Sequence, residues 1–122
     1  STAESRFAPR SDNAMALPHA QPAQAVDLRP LGPRLAGTRT HALFKSQDLE
    51  VMRLVLQAGQ SLPVHQVPGE ITVQCLEGCV ELTSDGQRHR LQPGELLFLP
   101  GGMPHDVRAL VDSSALVTIA LR

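Results

Sequence analysis

Two histidines stand where a reactive centre could be assembled. His105 closes the stretch Gly94–His105, GELLFLPGGMPH, in which a strand-like run ends at Pro100-Gly101-Gly102 and the imidazole follows three residues later. His65 lies upstream within Gly59–Gly78, near the start of another strand-like run. Imidazoles beside Pro/Gly turns suit a divalent metal (Ni, Zn, Fe or Mn) or proton transfer near neutral pH. As a metal shell the pair is incomplete. A catalytic metal typically takes three protein ligands and keeps one position open, and the iron-type facial triad needs a carboxylate beside two histidines. Glu70 is the nearest carboxyl in sequence, but strand alternation directs it outward. Asp106 follows His105 directly, so the same alternation turns it to the opposite face. Cys75 beside His65 would make a nucleophile pair only with an accessible thiol, and a buried apolar thiol is inert. No G-x-S-x-G, P-loop or dinucleotide glycine pattern occurs.

The elements that would hold these residues are short strands. Leu49–Gln57 is the strongest, with Met52, Leu54 and Leu56 on its even face and Val51 and Val55 on its odd face, as in a strand covered on both sides. Glu70–Leu76 alternates Ile71, Val73 and Cys75 against Glu70, Thr72 and Gln74. Ser84-Asp85-Gly86 is a hairpin signal between Cys79–Thr83 and Gln87–Leu91. Pro93-Gly94 suits the centre of a type II turn. Further strands are expected at Thr40–Lys45, Leu62–Val64, Glu95–Leu99, His105–Leu110 and Ala115–Leu121, with no convincing helix. The fold class is all-β, closing its edges as a sandwich or barrel. Residues 38–122 form this barrel domain. Residues 1–37 form an irregular N-terminal arm, broken by prolines at 9, 18, 22, 30 and 33. The arm is either disordered or docked on the body or a partner subunit. Docking is the favoured reading, with Val26, Leu28, Leu31 and Leu35 as its apolar anchors.

Composition narrows the function classes. The chain has 122 residues, enough for one domain, and a formal net charge of −1. That balance attracts neither phosphate backbones nor anionic membrane surfaces. Aromatics are 2%, three Phe with no Trp or Tyr, so bases would find no stacking platform and a pocket would be lined by aliphatics. Cys75 and Cys79 do not make a disulfide scaffold and read as small residues in or near the core. No apolar run approaches membrane-spanning length. The opening residues are polar and carry acid, so the expected setting is the reducing cytoplasm. His19, His41 and His89 are given no role; His89 sits in Arg88-His89-Arg90, read as a solvated face.

The spacing of glycine, proline and histidine resembles the cupins. Gly59-x5-His65 followed by Gly78 is similar to their first signature, and Gly94-x5-Pro100-x-Gly102-x2-His105 to their second. The run His65-Gln66-Val67-Pro68-Gly69-Glu70-Ile71-Thr72-Val73-Gln74-Cys75-Leu76-Glu77-Gly78 most resembles short single-domain bacterial cupins. The resemblance implies a double-stranded β-helix, or jelly-roll, barrel, usually a homodimer. It also implies metal ligands at 65, 67, 71 and 105. This chain has His65 and His105 but Val67 and Ile71, so two of the four positions are hydrocarbon. The closing Asn of the pattern falls at Ala109. The expected pocket lining is His65, Val67, Ile71, Val73, Cys75, Phe98, His105 and Val107, with His65 and His105 as the only metal ligands. Three functions follow in order. The first is a small-molecule-binding cupin with a degenerate metal site, in an accessory or sensor role. The second is a variant metal enzyme, an oxygenase, isomerase or lyase. The third is a structural dimer.

Overall fold

The structure, a computed structural model, describes residues 19–122, and for residues 63–65 the backbone alone. The first half of the arm and the side chain of His65 therefore lie outside the described residues. From His41 onward the chain forms strands β1 (His41–Lys45), β2 (Leu49–Leu56), β3 (Ser61–His65), β4 (Ile71–Glu77), β5 (Val80–Ser84), β6 (Gln87–Leu91), β7 (Leu96–Leu99), β8 (His105–Ala109) and β9 (Ser113–Ala120). They make two antiparallel sheets, ordered β1-β2-β9-β4-β7 and β3-β8-β5-β6. This is the all-β barrel expected from the strand and turn pattern, in the jelly-roll form that the resemblance implies.

Strand alternation explains how the sheets close on each other. Register sets Met52, Val117, Val73 and Leu97 in one row across the larger sheet, and Leu54, Ala115 and Cys75 in the next. Residues in one row of a pleated sheet share a face. These rows meet Leu82, Val107, Val80 and Ala109 of the smaller sheet, and together they form the core. Leu82, Cys75, Ala109 and Ala115 are fully excluded from solvent. The β5–β6 hairpin turns on Asp85 and Gly86, at φ 52° and 74°. Two consecutive positive φ values are the type I′ geometry that matches strand twist.

Two corrections concern the arm. Gly32–Gly37 forms a 3-10 helix opened by Pro33, where no helix is expected from the sequence. A pyrrolidine ring already holds the φ that a first turn needs, so proline opens a short helix as readily as it blocks a long one. Of the four proposed anchors, Leu31 and Leu35 are buried against Val55, whereas Leu28 is half-buried and Val26 is exposed.

The helix is held by a polar clamp on the outer face of the larger sheet. Glu77 accepts the backbone N–H groups of Leu31 (2.9 Å) and Gly32 (3.1 Å) and the hydroxyl of Ser114. Arg53, 3% exposed, donates to Glu77 (3.2 Å), to the Arg29 carbonyl (2.8 Å) and to Ser114. The arm thus supplies hydrogen-bond partners to a strand position, Arg53, that lies between Val51 and Val55 on an otherwise apolar face.

Candidate functional site

The pocket lies between the sheets, lined by Met52 and Leu54 of β2, Leu62 of β3, Val67, Ile71 and Val73 of β4 and the loop before it, His105 and Val107 of β8, and Val117 and Ile119 of β9. Nine of these ten side chains are apolar. The cavity volume is about 30 Å³, and the atom-free space with its open mouth is about 410 Å³. The inner volume takes water or a very small group; a larger ligand would occupy the mouth.

A bulge sets the register of the two histidines. On β8, Val107 and His105 are two residues apart, but their β3 partners, Leu62 and His65, are three apart. The extra residue resets β3, so the His65 backbone pairs directly with His105. Pro63 sits in this bulge, on a strand at the edge of its sheet, the setting in which proline's missing N–H costs least. His105 is buried, and its Nδ1 lies 3.1 Å from the Met103 carbonyl. A carbonyl can only accept, so in this contact Nδ1 carries the proton, and in the neutral ring the lone pair falls on Nε2.

Close backbone packing shapes the mouth. Gly102 donates its N–H to the Val67 carbonyl at 2.8 Å, and Ala120 donates to Glu70 at 2.9 Å. A Cβ on Gly101 would stand 2.1 Å from the Pro68 carbonyl oxygen, and one on Gly69 would stand 1.8 Å from that of Ala120. Only glycine allows the segment before β4, the segment before β8 and the end of β9 to approach so closely.

Of the expected lining residues, Val67, Ile71, Val73, His105 and Val107 line the pocket. Phe98 does not: Leu97 and Leu99 turn toward the core, so alternation sends Phe98 outward with Leu96, at 57% and 60% exposure. Cys75 does not either. It lies one row deeper, level with Leu54 and Ala115, and is fully buried. Glu70 is exposed, as alternation requires. His89 is half-buried opposite Leu82 rather than on a solvated face. The sequence reading omits Met52, Leu54, Leu62, Val117 and Ile119 from the pocket. The even face of β2 and the alternation of β9 carry the signal for most of them.

Burial pushes the Cys75 thiol pKa up, with Cys79 adding to the rise. Cys79 is half-buried, and both thiols are free. Alkylation of the native protein at pH 8 should therefore modify Cys79 first and leave Cys75 unreacted until unfolding, as read by peptide mass spectrometry. Equal rates at both would contradict this packing.

Among the described residues, which do not include the His65 side chain, a resident metal finds no complete shell. Among the described residues no three His, Cys, Asp or Glu side chains lie close enough to share an ion. The two positions beside the histidines that would complete a shell, Val67 and Ile71, present hydrocarbon to the pocket.

A two-sheet antiparallel jelly roll whose apolar interior opens past the buried His105 defines the class of double-stranded β-helix barrels. Residues 52–121 match the model of the cupin domain. The chain belongs to the cupin family. No curated protein matches it by sequence. Among solved structures it is similar to a conserved protein of unknown function, SPY1581, from Streptococcus pyogenes. That pair shares 24% identity at TM-score 0.70, over 88% of this chain and 95% of the other. It is also similar to an RmlC-like cupin from Desulfovibrio desulfuricans, with 30% identity and TM-score 0.63 over 86% and 97%. A third likeness is to the DMSP lyase DddQ from Ruegeria pomeroyi DSS-3, with 30% identity and TM-score 0.61 over 66% of this chain and 45% of that one. No helix among the described residues is long and apolar enough to cross a membrane.

Proposed function

We propose that this cupin binds a small, mostly apolar molecule in the mouth of its barrel without a resident catalytic metal, in a sensor or accessory role. The observation that carries the reading is the lining, nine aliphatic or thioether side chains around a single described imidazole. Such a surface favours hydrocarbon through burial, at about 25 cal/mol per Å² removed from water. His105 is the group that would fix a ligand's orientation. The chain is read as a homodimer, and the exposed Leu96 and Phe98 on edge strand β7 support that pairing.

The test is a nuclear magnetic resonance screen of small branched alcohols and alkanes against the wild type and Val67→Phe, which fills the mouth from a loop. Shifts at Ile71, Val107 and Ile119 are expected in the wild type and should disappear in the variant. Unchanged spectra throughout would sink the reading. A second reading, a metal-dependent lyase, has one specific support, the likeness to DddQ. Elemental analysis of tag-free protein separates the two: metal far below one per chain favours the binding role, and a stoichiometric, tightly held ion favours the lyase.

A further inference from the structure

The register of the larger sheet brings a carboxyl-bearing residue next to the pocket lining. On β2, Glu50 precedes Met52 by two residues, so it shares the inward face of Met52 and Leu54. Its row runs Glu50, Ile119, Ile71, Leu99, placing it beside Ile119 and level with Ile71, both of which line the pocket. Glu50 stands just beyond that lining. It is 4% exposed, and its Oε2 is buried with no hydrogen-bond partner. Lys45 is its cross-strand neighbour on β1, but Lys45 is exposed, and no ion pair joins the two among the described residues.

A buried carboxyl oxygen without a hydrogen-bond partner is costly, because the water it gave up is not replaced. Native structures keep such a group mainly where something else satisfies it. We propose that Glu50 is the anionic end of the ligand site and receives the protonated amine of a small ligand whose apolar body lies along Met52, Ile71 and Ile119. The chemistry of the walls favours an amine with N–H donors over a quaternary ammonium. Quaternary groups are held by the faces of Trp, Tyr or Phe, and this pocket has none of these in its lining. An N–H donor can instead form a charge-assisted hydrogen bond to the unpaired Oε2. This rests on the binding role proposed above and adds the ligand's charge and its location.

The experiment uses one carbon skeleton with three heads: isobutylamine, isobutanol and isobutyrate, titrated into the whole protein with methyl shifts of Met52 and Ile119 as readout. The amine is expected to bind about tenfold more tightly than the alcohol, and the acid most weakly. Glu50→Gln should erase the amine's advantage over the alcohol. Lys45→Met should leave the advantage intact. If Glu50→Gln does not fold, the three-head series on the wild type still decides. Equal binding of amine and alcohol overturns the inference but preserves the binding role, whereas no binding by any head overturns both. An amine preference that emerges only in Lys45→Met also overturns it, by assigning Glu50 to Lys45.

Discussion

Replacing Glu77 by Gln should destabilise the protein by about 3–5 kcal/mol, the cost of leaving a buried cation without its anion. Arg53 is almost wholly buried and its other partners are neutral, an Arg29 carbonyl and the Ser114 hydroxyl. The loss is a large share of the 5–15 kcal/mol by which domains of this kind are held folded. Urea titration followed by circular dichroism gives the magnitude. Limited proteolysis gives the location, because cleavage within residues 32–37 should accelerate more than cleavage elsewhere. Arg53→Met is the informative companion: it removes the charge and keeps the volume, so the double variant should lose much less than the two single losses added together.

The same clamp sets an acid limit. Burial pushes the Glu77 carboxyl up, but the Leu31 N–H, the Ser114 hydroxyl, the Gly32 N–H and the Arg53 charge outweigh it, leaving the group below its ordinary range. A carboxyl lowered in the folded state contributes stability that is present above its unfolded value of about 4.3 and lost as pH falls through the folded value. The wild type should thus lose stability below about pH 4.3, and Glu77→Gln should lack this part of the acid response. Superimposable acid titrations of the two proteins would show that the clamp is not the cause.

The second large effect is expected at the mouth. Gly69→Ala would put a Cβ 1.8 Å from the Ala120 carbonyl oxygen, and a backbone atom cannot swing aside as a side chain can. Either β9 shifts its last residues or the Val67-Pro68-Gly69 turn lifts away, at a cost of about 3 kcal/mol. Both responses open the wall formed by Val67 and Ile119, so small-ligand binding should weaken alongside stability. Gly37→Ala is the control. Its Cβ meets nothing within 4 Å, and its φ is not positive. Calorimetry should show a large drop in melting temperature for the first and little change for the second; similar melting temperatures would remove the close approach as an explanation.

What could be read from residue order tracks what depends on local pattern. Period-two alternation in Ile71-Thr72-Val73-Gln74-Cys75 and the Asp85-Gly86 turn declare strands and a hairpin without any tertiary knowledge. The glycine–proline–histidine spacing places 65 and 105 on segments that the barrel then pairs. Other features depended on distant partners. Arg53 shares a face with Val51 and Val55, and its partners at Arg29 and Glu77 are each 24 residues away in sequence. Glu77 reads as part of a turn, yet its carboxyl organises a helix more than forty residues away in sequence. Alternation alone puts Glu50 on the inward face, but only pairing with β9 shows it beside Ile119. Phe98 is expected in the pocket from the sequence; the parity of β7 turns it outward instead.

The position of β9 in the larger sheet has a consequence for biosynthesis. It lies between β2 and β4, pairing with both along most of its length. The central strand of that sheet is therefore made after the other four, and until residues 113–120 emerge β2 and β4 each offer an unsatisfied edge to other chains. The barrel should close only after translation has passed this point, with a nascent intermediate that depends on chaperones or speed to avoid aggregation.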